Sequence, residues 1–429
     1  MFMTPSRRAF RLVCTPSEEQ TVEDLLRAQG YEFEPDPFIP SARRLLAEPR
    51  PLGSSLAAFF GLIYIQDRSS MLPPAALCPP PGAAVLDMCA SPGSKTGQLA
   101  GMVGSDGFVL GNEPSPSRLA TLRRNLHAMN LGWTASCCHE GESLPLPDAM
   151  WNYIQLDPPC SGWGTIERNP KVRDIWKDDK ITPLIRLQRA LLREACRLLR
   201  PGGTLVYSTC TTNDGENEEQ VRYALDELGL ELEPLASPPG FDLEDGRLGI
   251  DGVWRLEPRS GDNQGFFVAR LHKPAASPER HADTPPFCPQ AQAPRFELLC
   301  PDRLADAGVD PAALPGPVGV FGASLHILPR QSLDLLPASL RWQGMYFGKY
   351  AKNGEIRPAP RLRTPGNLPR VEFEDADGIE AINGMLQGRA QQAPCAASAD
   401  AAGMALISWN GLALGRATLK KNRLLWTER

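Results

Sequence analysis

The stretch Ala83-Ala-Val-Leu-Asp-Met-Cys-Ala-Ser-Pro-Gly-Ser-Lys-Thr-Gly-Gln-Leu-Ala100 passes from a short apolar run, through a turn of small residues, into a helical pattern. Strand, glycine turn and helix in that order form the repeating unit of a doubly wound sheet. The alternation recurs downstream. Gly107–Glu113, Thr134–His139, Trp151–Asp157 and Gly203–Thr209 read as further short buried strands, with helical periodicity between several of them. A mostly parallel α/β sheet covered on both faces is therefore expected. A last pair, Gly252–Glu257 and Gly265–His272, flanks Pro258-Arg-Ser-Gly-Asp-Asn263 and reads as a hairpin that closes the sheet edge.

Around this core the chain divides by composition. Its 429 residues exceed what one hydrophobic core usually supports, so two or three domains are expected. Residues 1–75 read as a small opening segment, with a helix near Glu18–Gln29, an apolar stretch at Leu56–Ile65 and a lead-in through Tyr64–Met71. The strand-and-helix pattern occupies residues 76–273. Lys273–Pro294, rich in Pro and Ala, reads as a linker. Residues 295–429 contain strand-like runs at Val318–Phe321 and Met404–Trp409 and read as a small, mostly β module, with Arg389–Ala402 as a loop.

A formal charge of −5 argues against a partner wrapped by the whole surface but leaves room for RNA held on a local basic strip. The opening residues have no apolar run of signal-sequence length, and no later segment approaches a membrane span. The 11 cysteines are odd in number and show no paired CxxC spacing, so neither structural zinc nor a disulfide framework is expected. A cytoplasmic protein, monomeric and without a metal, is the expectation.

Ligands of a doubly wound sheet collect at the carboxyl ends of its strands. Four groups follow directly after predicted strands: the turn Cys89-Ala90-Ser91-Pro92-Gly93-Ser94-Lys95, the acid Glu113, the turn Asp157-Pro-Pro-Cys160 and the strand end Thr209-Cys210. They should share one crevice. The turn opens a helix whose backbone amides suit a carboxylate, such as that of the methionine part of S-adenosylmethionine (SAM); packing alone would also explain its glycine. Glu113 is placed to accept both hydroxyls of a ribose, the alternative being an ordinary surface acid. Lys95 is either a solvated helix residue or a cation that lowers a nearby thiol pKa or meets a phosphate.

The two cysteines carry the chemical reading. Carbon 5 of cytosine is a poor nucleophile, so methylating it requires prior addition of a nucleophile at carbon 6, a step that suits a thiolate. Enzymes that methylate exocyclic amino groups need no such adduct, and their comparable Asp/Asn-Pro-Pro turn usually ends in an aromatic. Here Cys160 stands in that place. Asp157 could bond the N3/N4 edge of the ring, sharing a proton with N3 as charge develops. For Cys14, Cys78, Cys137, Cys138, Cys196, Cys288, Cys300 and Cys395 the expected role is that of a small apolar side chain.

The helix Arg186–Arg200 presents Arg186, Arg189, Arg193, Arg197 and Arg200 at helical spacing. The stripe reads equally as a solvated face or as a track for RNA phosphates. Lys420-Lys421-Asn-Arg423-Leu-Leu-Trp426 mixes basic and aromatic side chains, as RNA contacts do.

Three motifs in order, DMCASPGSKTGQLA, LDPPCSGWGT and VYSTCTTNDGEN, resemble the DMCAAPGGKT-like turn, DxPCSGxG turn and YSTCT strand end of the Sun/Fmu-type RNA cytosine-5 methyltransferases, from about Pro51 to Lys273. The resemblance implies a Rossmann-like SAM-dependent methyltransferase with a seven-stranded sheet. It further implies that Cys210 is the nucleophile and that Cys160 acts in breakdown of the adduct. The residues alone leave that order open, because DNA cytosine methyltransferases attack with a Pro-Cys thiol. By motif position, SAM contacts fall on Cys89–Lys95, Glu113, Asp157 and an acid after the third strand. The family has Asp at that last place; the match here is Glu140. Leu340–Lys349 and Gly411–Asn422 resemble the tail of the RsmF-type rRNA enzymes, a PUA-like RNA-binding module. Formation of 5-methylcytosine in small-subunit rRNA is therefore expected. The alternatives are the same reaction on tRNA, methylation of an amino group, and a non-catalytic RNA-binding assembly factor that keeps the fold.

Overall fold

Short apolar runs can be buried on both faces only where helices cover a parallel sheet, and Val85, Leu86, Val109, Leu110, Ile154, Leu156, Leu205 and Val206 are all buried. In the computed structural model, which describes residues 8–166, 172, 181–258, 264–275, 296–337, 339–364, 366–393 and 403–427, these residues form the centre of such a sheet. Five strands run parallel: β1 (Ala84–Asp87), β2 (Phe108–Asn112), β3 (Thr134–Cys137), β4 (Trp151–Leu156) and β5 (Leu199–Thr209). Their order is β3-β2-β1-β4-β5. Chain direction across the sheet reverses at β1, so the ends of β1 and β4 open a crevice. Beyond β5 the hairpin of β6 (Trp254–Leu256) and β7 (Phe266–His272) follows, with β7 antiparallel to β5. This is the expected Rossmann-like methyltransferase sheet. Most of the hairpin's connection, 259–263, lies outside the described residues, as do most of the expected linker and the latter part of the expected loop Arg389–Ala402, with Cys288 and Cys395.

Two boundaries differ from the sequence expectation. The long helix covers Thr182–Leu198 and stops before Arg200, because Pro201 disfavours helical backbone at the residue before it; β5 begins at once with Leu199 paired to Trp151. Its arginines are not a uniform solvated stripe. Arg197 donates to Leu144 O (3.0 Å), Leu146 O (2.9 Å) and Glu194 Oε1 (2.6 Å), Arg189 lies 5.1 Å from the Tyr223 ring centroid, and Arg193 donates to Tyr223 Oη.

The sheet does not end at β3. Strand β8 (Trp342–Tyr350), from the C-terminal region, pairs antiparallel with it, Trp342 opposite Cys137 and Gly344 opposite Ala135. Ser324–Ile327, Val318–Phe321 and Glu297–Leu298 continue the sheet outward. Arg370–Phe373, Gln391–Gln392, Gly403–Trp409, Leu412–Lys420 and Arg423–Leu425 then form a separate five-stranded sheet. Its apolar residues Ile407, Leu414 and Leu424, with Ile382 of the helix Asp375–Leu386, share one core with the N-terminal unit: Phe10 and Leu45 of its four-stranded sheet and Leu25 and Phe60 of its helical segments. Phe60 and Trp426 seal the contact edge to face, ring centroids 5.5 Å apart.

Candidate active site

The parallel register brings the carboxyl ends of β1, β2, β4 and β5 to one edge, and the side chains expected there converge. After β1 the chain turns at Gly93, whose φ of +104° favours glycine; a Cβ there would sit 2.9 Å from Leu122 Cδ1. The turn is tied to the next helix, Pro116–Ala128, by Ser91 Oγ to Arg118 O (3.0 Å), Arg118 Nη2 to Ser91 O (3.2 Å) and Asn125 Nδ2 to Pro92 O (2.8 Å). Ser94 and Lys95 begin the helix Ser94–Val103, so its first-turn amides face the crevice. Cys89 and Ala90 lead into this turn, and burial pushes the Cys89 thiol well up.

Glu113, just past β2, is 2% exposed; it accepts from the Ser115 amide at 3.0 Å and stands 3.4 Å from Arg118. Glu140 follows β3 and is exposed. Asn112 holds that loop in place, donating to His139 O (2.9 Å) and accepting from the His139 amide (3.0 Å).

At the end of β4, each carboxylate oxygen of Asp157 accepts one hydrogen bond. Lys95 Nζ donates to its Oδ2 at 2.7 Å, and Ser208 Oγ to its Oδ1 at 2.7 Å. Lys95 also reaches Ser70 Oγ (3.4 Å) and stands 5.4 Å from the Phe266 ring centroid. Burial works against the Lys95 charge, but the attraction of Asp157 outweighs it and the ammonium pKa is raised.

Cys160 Sγ and Cys210 Sγ are 3.0 Å apart. The pair is asymmetric. Either thiol could donate across this contact, which lowers the Cys210 pKa from its ordinary value and, with burial, raises that of Cys160 well above it. Burial and the charge of Asp157 oppose the thiolate at Cys210, while Lys95 favours it. The arrangement can therefore present one thiolate beside one thiol.

The two cysteine turns are locked together by a group the sequence reading did not single out. Glu216 is fully buried and accepts from Ser161 N (2.9 Å), Ser161 Oγ (2.5 Å) and Gln188 Nε2 (3.0 Å), while Ser161 Oγ meets Thr211 Oγ1 at 2.7 Å. It thus joins the residue after Cys160 to the residue after Cys210. Gly164 N donates to Cys210 O at 3.0 Å, and Gly164 packs on Gly265 so closely that a Cβ would lie 2.1 Å from Gly265 O. Glu216 sits in a run of polar residues, Asn213–Asn217, where nothing in the pattern marks one acid over another.

Asp87 is the second omission, and here a signal existed: it is an acid closing an apolar strand. It is 1% exposed, its Oδ2 accepts from Thr96 Oγ1 at 2.7 Å, and its buried Oδ1 has no well-formed hydrogen bond. Burial raises its pKa to about 6. A cationic ligand group at this turn would complete the site, as the ammonium of the SAM methionine would. Small-residue turn, helix amides, orphan carboxylate oxygen and the acid after β2 together fit SAM. Among the described residues no cluster of His, Cys, Asp and Glu is arranged to hold a metal, and no helix is long and apolar enough to cross a membrane.

Residues 74–272 match the family model described as 16S rRNA methyltransferase RsmB/F. The chain is 31% identical over 435 residues to a ribosomal RNA small subunit methyltransferase F of Shewanella amazonensis, covering 98% of this chain and 90% of that one. A Salmonella heidelberg protein of the same name is 37% identical over 64% of this chain and 58% of its own length. Among solved structures, a methyltransferase homolog protein from Pyrococcus horikoshii superposes with a TM-score of 0.55 at 33% identity, covering 63% of this chain and 87% of that one. NSun6 from the same organism, solved with SFG, gives a TM-score of 0.55 at 21% identity over 63% of this chain and 91% of its own.

Proposed function

This chain belongs to the RsmB/F family of 16S rRNA methyltransferases, and from that membership we propose how its own residues carry out the reaction. The reaction is SAM-dependent methylation of cytosine carbon 5 in ribosomal RNA. SAM supplies an electrophilic methyl group on its sulfonium. The turn Cys89–Lys95, Asp87, Glu113 and Glu140 would hold it, the turn's amides on its carboxylate, Asp87 on its ammonium and Glu113 on its ribose hydroxyls.

Cys210 is the proposed nucleophile. Its thiolate adds to carbon 6 of the cytosine, which makes carbon 5 electron-rich enough to take the methyl group. Asp157, held by Lys95 and oriented by Ser208, retains acceptor positions for the N4 amino group of the ring. Loss of the carbon 5 proton then expels the Cys210 thiolate, and Cys160 acts in this breakdown. The observation that carries the proposal is the 3.0 Å approach of the two sulfurs beside the Lys95–Asp157 pair. Residues 295–429, read in part as a PUA-like module, and the N-terminal segment are proposed to bind RNA.

The test is product identity. Small-subunit rRNA incubated with the protein and methyl-labelled SAM, then digested to nucleosides, is expected to yield labelled 5-methylcytidine. Label in an N4-methylated nucleoside would overturn the ring-carbon mechanism, label only with tRNA would overturn the rRNA assignment, and no label at all would favour a non-catalytic assembly factor.

A further inference from the structure

We propose that the cleft between the hairpin formed by β8 and Ile356–Pro358 and the C-terminal five-stranded sheet holds an RNA phosphate backbone on Lys349 and Arg357, remote from the target cytosine. The inference rests on the RNA-directed function proposed above. Lys349 and Arg357 stand directly opposite each other on adjacent antiparallel strands. Like charges so placed repel, and a fold gains nothing by keeping them there. Both are exposed, and both line a cavity of about 1390 Å³, larger than the 300–1,000 Å³ or so typical of small-molecule pockets.

Asp306 and Glu355 line the same cavity, yet among the described residues neither cation has an ion-pair partner. Arg303 adds a third positive charge, its Nη2 donating to Gly354 O at 3.0 Å and its guanidinium 5.3 Å from the Tyr350 ring centroid. His127 and Tyr346, ring centroids 5.4 Å apart, supply aromatic surface at the cavity wall. Three cations against two carboxylates leave the cleft positive, and unpaired Lys349 and Arg357 beside aromatic rings suit a nucleic-acid strand in a chain of net charge −5.

Position separates this cleft from the catalytic crevice. The 13-residue helix Pro116–Ala128 starts beside Glu113 at the catalytic edge and runs back about 20 Å along the sheet, bringing His127 to the cleft. RNA bound here is another part of the same substrate molecule. Its contribution is to affinity, and the chemical step is untouched.

The test uses the full-length protein and its Lys349→Glu/Arg357→Glu variant, with a 16S rRNA transcript as probe. Affinity is expected to fall at least tenfold at about 0.1 M salt, and the plot of log K against log salt to become shallower by about 1.4–1.8, since each of the two phosphate contacts contributes about 0.7–0.9 to that slope. Single-turnover methyl transfer at saturating RNA should keep its rate. If the variant unfolds, Lys349→Gln/Arg357→Gln takes its place with the same expectation. Unchanged affinity and slope would overturn the proposal, as would a defect seen only on assembled small subunits, which would assign the cleft to a protein. Failure of the unmodified protein to methylate either substrate would strike the functional reading instead, leaving the affinity comparison intact.

Discussion

Cys160 Sγ lies 3.0 Å from Cys210 Sγ although 50 residues separate them in the chain. Parallel pairing of β4 with β5, Ile154 opposite Leu205 and Leu156 opposite Tyr207, sets their turns side by side, and buried Glu216 fastens one turn to the other.

The first prediction follows from the asymmetry of that contact. Contact with the Cys160 thiol lowers the Cys210 pKa, so the Cys210 thiolate persists to lower pH than a free thiol and disappears as pH falls through the lowered value. Cys160→Ala removes that contact. The onset of Cys210 alkylation by iodoacetamide, followed by mass spectrometry across pH, should move upward, with the rate near neutral pH falling roughly three- to tenfold. An unmoved onset would contradict the asymmetry.

Much of this edge was legible in the sequence because it is built from local signals. A strand closed by a glycine turn can be read within 18 residues, and β1, β2 and β4 depart from their expected spans by only a residue or so at either end. What could not be read is pairing across long separations. Trp342 opposite Cys137 joins segments with no shared pattern, and nothing in Phe60 or Trp426 announces the other as its neighbour. The arginine stripe was legible only in part, for a related reason. Periodicity places Arg197 on a helix face, but only the fold puts Leu144 O, Leu146 O and Glu194 within its reach.

A second prediction concerns the cofactor. With its pKa raised to about 6 by burial, Asp87 is protonated below that pH and gains a negative charge above it. Only the charged form attracts an ammonium, so SAM affinity measured by calorimetry should strengthen as pH rises from about 5 to 7.5. Asp87→Asn should bind more weakly at pH 7.5 and lose most of this dependence. A pH-independent affinity in the unmodified protein would remove Asp87 from the site.

The shared terminal core leads to a third. Trp426 packs on both Phe59 and Phe60, with ring centroids 5.8 and 5.5 Å away. Trp426→Ala should cost about 3–5 kcal/mol of stability in this unit. Hydrogen exchange should show protection lost in the N-terminal sheet as well as the C-terminal one. Loss confined to residues 366–427 would mean that the two ends fold independently.

The most direct test of the covalent mechanism is to trap the adduct. Cys160→Ala protein mixed with 16S rRNA and SAM should yield a protein–RNA species that survives denaturing electrophoresis, and Cys210→Ala should yield neither that species nor methylated product. An adduct formed by the Cys210→Ala protein, or normal turnover by both variants, would contradict the account.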